Sequence, residues 1–276
     1  MAKLIKQLSN GGHWYTPDGH PRHRIESADG EFRNTTLRDA RKLGLMPSVT
    51  GILNCIDKPA LGDWRLRQVV DACAAVGLAG EVTDQTFREI KDRAFAQVAD
   101  AADLGSKIHA AVENYLLTGE APAGDLLIYL DPVIEFLKTV NITPIEVEKI
   151  LVSKLHGYAG TVDLLFKWGE GDSKLGILDW KTRRTRKGQK VKAYDGQDLQ
   201  LAAYAAAAYG ADQLGEVMAA NIVISTTEPG RMDVLRHNDL RASWEAFQAV
   251  AATWRHIKSY DPRIPLTYEN AKAGII

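Results

Sequence analysis

Two aspartates, Asp163 and Asp179, lie in apolar segments on either side of a polar turn, and this arrangement restricts the fold more than any other feature of the chain. The turn reads Gly169-Glu170-Gly171-Asp172-Ser173, a cluster that breaks regular structure. Residues 159–168 and 175–182 carry the β-branched and aromatic content of strands. Folded as two arms of a hairpin centred on Gly171, they set residues equidistant from that glycine opposite one another, and Asp163 and Asp179 form such a pair. Their Cβ atoms are then about 4.5–5.5 Å apart. Side chains alternate along a strand, so Lys181 shares the aspartate face. Val162, Leu164, Phe166, Leu178 and Trp180 are expected on the other face, which is wholly apolar.

Opposed carboxylates repel, and placing them beside a core costs free energy, so positive charge must sit between them. Lys181 alone can supply it, which would make the pair a charge-compensated patch on a solvated sheet. The alternative is a divalent metal: hard oxygen ligands suit Mg2+ or Mn2+, which keep waters and bind phosphate oxygens. Such a cation activates water and neutralises a leaving oxygen. Counting Lys181, the next stretch holds seven basic residues in twelve positions, among them Arg183, Arg184, Arg186 and Lys187. Alone, a charge run is a solvated loop. Directly after a carboxylate strand, it places cations along the path of a polyanion. About four to six backbone-phosphate contacts would give a log–log salt slope of about −3 to −5. Metal-binding carboxylates beside a basic run point to a phosphodiester.

The rest of the chain bounds the answer. Its 276 residues are 45% apolar and 25% charged with a formal net charge of −1, which excludes a histone-like basic binder but not a local basic patch. That length buries a large core without staples, and one domain with an elaborated lobe is expected. Cys55 and Cys73 are the only cysteines, too few for a four-thiolate zinc or iron–sulfur site, and they fit a reducing, cytoplasmic setting. The start lacks a signal-peptide apolar run and no stretch approaches 18 apolar residues, so membrane insertion is not expected. Residues 1–45 read as turns and short hairpins, with His13, His20 and His23 in polar loops. From 47 to 117 the pattern is helical, with Ser48 or Thr50 as an early cap and a long helix or helix pair over 84–117 between Thr83 and Gly119. Helices are expected over 131–140, 198–209 and 239–259, and further strands over 150–155, 217–225 and 232–235. This order gives an α/β mixed sheet with helices around it. There is no Walker A loop, so the chain is not a helicase motor.

These segments resemble the PD-(D/E)XK nuclease superfamily, specifically its RecB-like exonuclease branch. The resemblance is carried by Gly160-Thr-Val-Asp163, Ile177-Leu-Asp179-Trp-Lys181-Thr and Gln200-Leu-Ala-Ala-Tyr204. Gly105-Ser-Lys-Ile-His109-Ala-Ala-Val-Glu113 looks like the branch's histidine helix. Pro47-Ser-Val-Thr-Gly-Ile-Leu53, with Lys58-Pro-Ala-Leu61 and Trp64, is similar to phage exonucleases and the mitochondrial genome-maintenance exonuclease. The elements follow family order over about residues 45–210. Val162 stands where the superfamily's name has proline, as is common in this branch.

The resemblance implies a restriction-endonuclease-like fold: a single unit over 1–276, a helical lobe or arch over 57–145 and a catalytic sheet core over 146–236. It implies a DNA exonuclease using Mg2+ or Mn2+ on DNA ends or single strands, in recombination, repair or end processing. Asp163 and Asp179 would be metal ligands, with the Trp180 carbonyl and His109 completing the set, and Lys181 would orient water or steady developing charge. Gln200 and Tyr204 would contact substrate or brace the site, Arg183, Arg184, Arg186 and Lys187 would contact DNA, and either Glu146 or Glu148 would add an acidic contact. Ser48 and Thr50 are as readily caps as DNA contacts, while Trp64 is a core residue or a base-stacking one. A recombination or single-strand-binding protein is the expected protein partner. Two rival readings are a structure-specific or nicking endonuclease and a non-catalytic DNA-binding recombination partner. The intact Asp163, Asp179 and Lys181 set stands against the second.

Overall fold

The computed structural model describes residues 12–77, 82–169 and 174–264. The hairpin turn around Gly171 and both chain ends lie outside them. Strand β1 (Trp14–Tyr15) pairs with β4 (Met46–Pro47), and β2 (Arg24–Glu26) with β3 (Phe32–Asn34), both antiparallel. The region expected to hold only turns and hairpins also contains a helix, α1 (Leu37–Leu43). Its start is over-determined. Thr36 and Asp39 form a reciprocal capping box, and Arg33 grips the Asp39 carboxylate at 2.6 and 2.9 Å, which holds that carboxyl below the usual range. Ser48, not Thr50, caps α2 (Val49–Leu53), its hydroxyl accepting the Gly51 N–H at 2.9 Å.

Helix α3 (Pro59–Val76) packs on α4 (Asp84–Thr118) through Ala72, Ile90 and Ala94. The 84–117 expectation resolves to a single helix: α4 runs unbroken for 35 residues, about 52 Å, from the Thr83 cap to left-handed Gly119. After α5 (Leu127–Thr139) come β5 (Ile142–Ser153), β6 (Tyr158–Trp168) and β7 (Lys174–Arg183). Helix α6 (Gln197–Tyr209), β8 (Met218–Ser225), β9 (Met232–His237) and α7 (Leu240–Lys258) complete the described fold. Strand β5 begins well before the expected residue 150, because Thr143, Pro144, Glu146, Glu148 and Lys149 hide its apolar content.

The five long strands form one sheet in the order β5-β6-β7-β8-β9, with β7 and β8 parallel and the other pairs antiparallel. The parallel step requires a crossover, and α6 is that crossover. Helices cover both faces. On one side Leu165, Ile177, Leu201, Trp244 and Phe247 form a core with α6 and α7; on the other Ile108, Leu130, Leu164, Phe166, Leu178 and Trp180 form a core with α4 and α5.

Val162 departs from expectation. It belongs to the α6 side, with Leu165, and not with Leu164 and Phe166. Simple alternation fails between them at Asp163, opposite which Glu148 has a left-handed backbone (φ 49°) between the Val147–Leu164 and Lys149–Val162 pairs. Among the described residues no helix is long and apolar enough to cross a membrane.

Across β6 and β7, Gly176 faces Phe166, and a Cβ there would come within 2.2 Å of the fully buried ring. Gly176→Ala is therefore expected to destabilise the fold by about 1–3 kcal/mol in urea unfolding. Part of that loss should return when Phe166→Leu is added.

Candidate active site

The β6–β7 ladder runs from Trp168–Lys174 to Leu164–Leu178, in the register that the hairpin geometry requires, and ends there. One step further stand Asp163 and Asp179. In place of a backbone partner, the Trp180 N–H donates to Asp163 Oδ2 at 2.6 Å. In an extended strand the N–H and C=O of one residue point to the same side, so the Trp180 carbonyl is directed to the β6 side as well. The Trp180 ring itself is buried in the α4–α5 core.

Beyond the split, β7 stays paired to β8, with Asp179 beside Asn221. Asp179 is 3% exposed, and its carboxylate meets donors on every side. Gln200 Nε2 donates to Oδ1 at 3.1 Å, Asn221 Nδ2 donates to Oδ2 at 2.8 Å, and the Lys181 ammonium pairs with Oδ2. Asn221 Oδ1 in turn lies 2.7 Å from His237 Nε2. Asp163 is partly accessible but its carboxyl is deeply enclosed. Burial, then the nearby Asp179 charge, pushes it well above the usual carboxylate range, against the pull of Lys181 and the Trp180 N–H.

Helix α4 reaches the site because Gly105 lets it approach β7: a Cβ there would stand 2.6 Å from Thr182 Oγ1. His109 follows one turn later, and Glu113 one turn after that, on the same side of the helix. Burial depresses the His109 pKa, with Asp179 opposing and Lys181 reinforcing the shift. Of the two acidic candidates on β5, Glu148 is exposed and stands opposite Asp163, and desolvation, then Glu113 and Asp179, raise its pKa. Glu146 instead pairs with Lys149 at 2.9 Å. Carboxylates from four elements (β5, β6, β7 and α4) and one imidazole thus flank the split.

Helix α6 lies beneath. Gln200 and Tyr204, one turn apart, are both buried, with Gln200 Nε2 3.4 Å from the Tyr204 hydroxyl. Gly160 makes room for that ring, since a Cβ would sit 2.6 Å from Tyr204 Cε1. Gln200 thus links Tyr204 to Asp179. Arg184, Arg186 and Lys187 are exposed on the loop after β7. Arg231 anchors that loop, donating to the Arg186 and Gln189 carbonyls at 3.1 and 2.6 Å while pairing with Glu228 and Asp233. Arg183 donates to the Lys192 carbonyl at 2.8 Å and lies 3.8 Å from the Tyr194 ring centroid. The His13 and His23 rings stack at 4.5 Å. Asn221 and His237 were not singled out from sequence. A lone amide inside an apolar strand was the available signal.

Among the described residues no group of three or more His, Cys, Asp or Glu side chains is gathered closely enough to hold a metal as it stands. Lys181 and two amides already occupy Asp179. The donor chemistry nonetheless fits a hard divalent cation: carboxylates and an imidazole flank the split, and burial, then the Asp179 charge, raises the Asp163 pKa.

The family model of the PD-(D/E)XK nuclease superfamily matches residues 83–265, spanning α4 to α7. The chain belongs to the PD-(D/E)XK nuclease superfamily. Its five-stranded mixed sheet with flanking helices is the superfamily's restriction-endonuclease-like fold, and membership makes the chain a nuclease-type hydrolase with a nucleic-acid substrate. PD-(D/E)XK nucleases generally use divalent metals. A search of curated proteins finds no match. Among solved structures, the chain is similar to the crystal structure of SSO0001, with 14% identity and a TM-score of 0.32 over 74% of this chain and 88% of that one.

The Asp163 environment has a measurable consequence. The native carboxyl holds its proton more tightly than the unfolded one, so the metal-free protein loses stability as pH rises from about 4 through the raised native value. At neutral pH the charge is a net cost. Asp163→Asn removes that charge while keeping an oxygen for the Trp180 N–H, so it should raise the Tm in EDTA by a few degrees. It should also remove most of the stabilisation that Mg2+ or Mn2+ gives the parent protein. Thermal scans of both proteins with and without divalent ions check this; a variant less stable than its parent in EDTA contradicts it.

Proposed function

We propose that this chain is a divalent-metal-dependent deoxyribonuclease that trims DNA ends or single strands as an exonuclease. The observation that carries the reading is the Asp163–Asp179 pair at the point where β6 and β7 part, with Lys181 beside it and an anchored basic loop following. Asp163, Asp179, the Trp180 carbonyl and His109 would hold Mg2+ or Mn2+, with Glu148 a further oxygen at the rim. The ion supplies Lewis acidity towards the phosphate and an activated water. Lys181 neutralises charge developing on the phosphoryl oxygens, and Gln200 and Asn221 fix the Asp179 carboxylate against rotation. Arg183, Arg184, Arg186 and Lys187 provide the electrostatic track for the DNA backbone.

Exonuclease action, rather than internal cutting, is supported by the resemblance to the RecB-like branch and its phage and mitochondrial members. It is also supported by the paired helices α3 and α4, whose lobe (57–145) would arch over a strand entering the sheet core (146–236) by its free end. Recombination, repair or end processing are the matching roles, alongside a recombination or single-strand-binding protein.

The test is digestion of end-labelled single- and double-stranded DNA with Mg2+, Mn2+ or EDTA. Cleavage is expected with either metal and none in EDTA. Asp179→Asn and Lys181→Ala should each lower the rate by about a hundredfold or more while DNA binding persists. A covalently closed single-stranded circle should survive; rapid cutting of it would replace the exonuclease with an endonuclease.

A further inference from the structure

Beside the cleavage site lies a cavity of about 720 Å³ whose lining includes Leu53, Leu61, Trp64, Tyr194, Lys181 and Gln200. Lys181 and Gln200 belong to the carboxylate site, so the cavity opens where the scissile phosphate would lie. Its other walls are mainly apolar and aromatic. Trp64, from α3, is 40% exposed and Tyr194, from the loop before α6, is 64% exposed. Exposed aromatics on two separate elements facing one cavity are not core residues.

Tyr194 is also held in place. Its amide donates to Gln197 Oε1 at 2.8 Å, and the Arg183 guanidinium covers one ring face at 3.8 Å. The uncovered Tyr194 face and the Trp64 indole are flat and apolar, as a stacking platform requires. The cavity volume is that of a pocket for one small ligand. Thr50, Lys58 and Asp195 place polar groups around it, suited to the polar edges of a base and to its phosphate.

We infer that this cavity takes one unstacked nucleobase next to the scissile phosphate, which makes single strands and frayed ends the substrates. The inference rests on the nuclease reading above. A paired duplex would have to expel that base from its stack first, at a cost of a few kilocalories per mole, whereas a single strand would not. Stacking is tolerant of sequence, so the pocket selects strandedness and not base identity.

The test is equilibrium binding in EDTA, where nothing is hydrolysed, using single-stranded oligonucleotides that carry one abasic residue at successive positions. For the parent protein, one position is expected at which loss of the base weakens binding by about 5- to 150-fold. Trp64→Ala and, as a second variant at an exposed loop position, Tyr194→Ala should each weaken binding to the intact strand by a factor in that range. In each variant the abasic penalty should shrink towards nothing, while affinity for blunt duplex stays within about twofold. If the parent protein binds and cleaves DNA but no position is sensitive, or the penalty is unchanged in the variants, the pocket assignment is overturned and the nuclease reading stands. A parent protein that neither binds nor cleaves DNA overturns both.

Discussion

The parting of β6 from β7 after Leu164 and Leu178 organises everything around it. A ladder continued by one more pair would set two carboxylates directly opposite each other in a half-buried position. The strands separate instead, and the amide left without a partner, that of Trp180, is satisfied by Asp163 itself. The two acids then meet different surroundings. Asp179 is embedded among three donors, whereas Asp163 is enclosed with one amide and a neighbouring like charge. That asymmetry is what the proposed metal chemistry would use. One carboxylate is fixed and neutralised within the protein, and the other is left under electrostatic pressure that an incoming cation would relieve.

The helices serve this strand junction from opposite sides. Helix α6 braces it from below through Gln200, itself steadied by Tyr204. Helix α4 brings His109 and Glu113 from above. Both approaches depend on small residues: Gly160 leaves space for Tyr204, and Gly105 leaves space for Thr182. Motif glycines that say little about chemistry on their own are therefore the residues that set its distances.

Much of this was legible in the sequence. The turn-centred register of β6 and β7, the two caps of α4, the crossover helix and the closing helix all follow from local rules, and the structure matches them. What stayed hidden depended on irregularity or on distant contacts. Val162 changes sides beside Glu148, whose left-handed backbone no propensity foretells. Helix α1 was missed because its Thr36–Asp39 box lies in a segment dominated by turn residues. Asn221 is a lone amide in an apolar strand, and only the parallel pairing of β8 with β7 reveals what it holds.

The Asn221 contact also fixes the location of a proton. A carboxylate can only accept, so the amide must turn its NH2 to Asp179 and its oxygen to His237, which settles the side-chain orientation by logic. His237 Nε2 must then carry hydrogen, leaving Nδ1 as the basic nitrogen of a ring whose pKa burial depresses. If the imidazole gains a second proton, it does so at Nδ1, and the bond to Asn221 is kept. This tautomeric arrangement makes the outermost strand, β9, a support for Asp179 that holds whether His237 is neutral or charged.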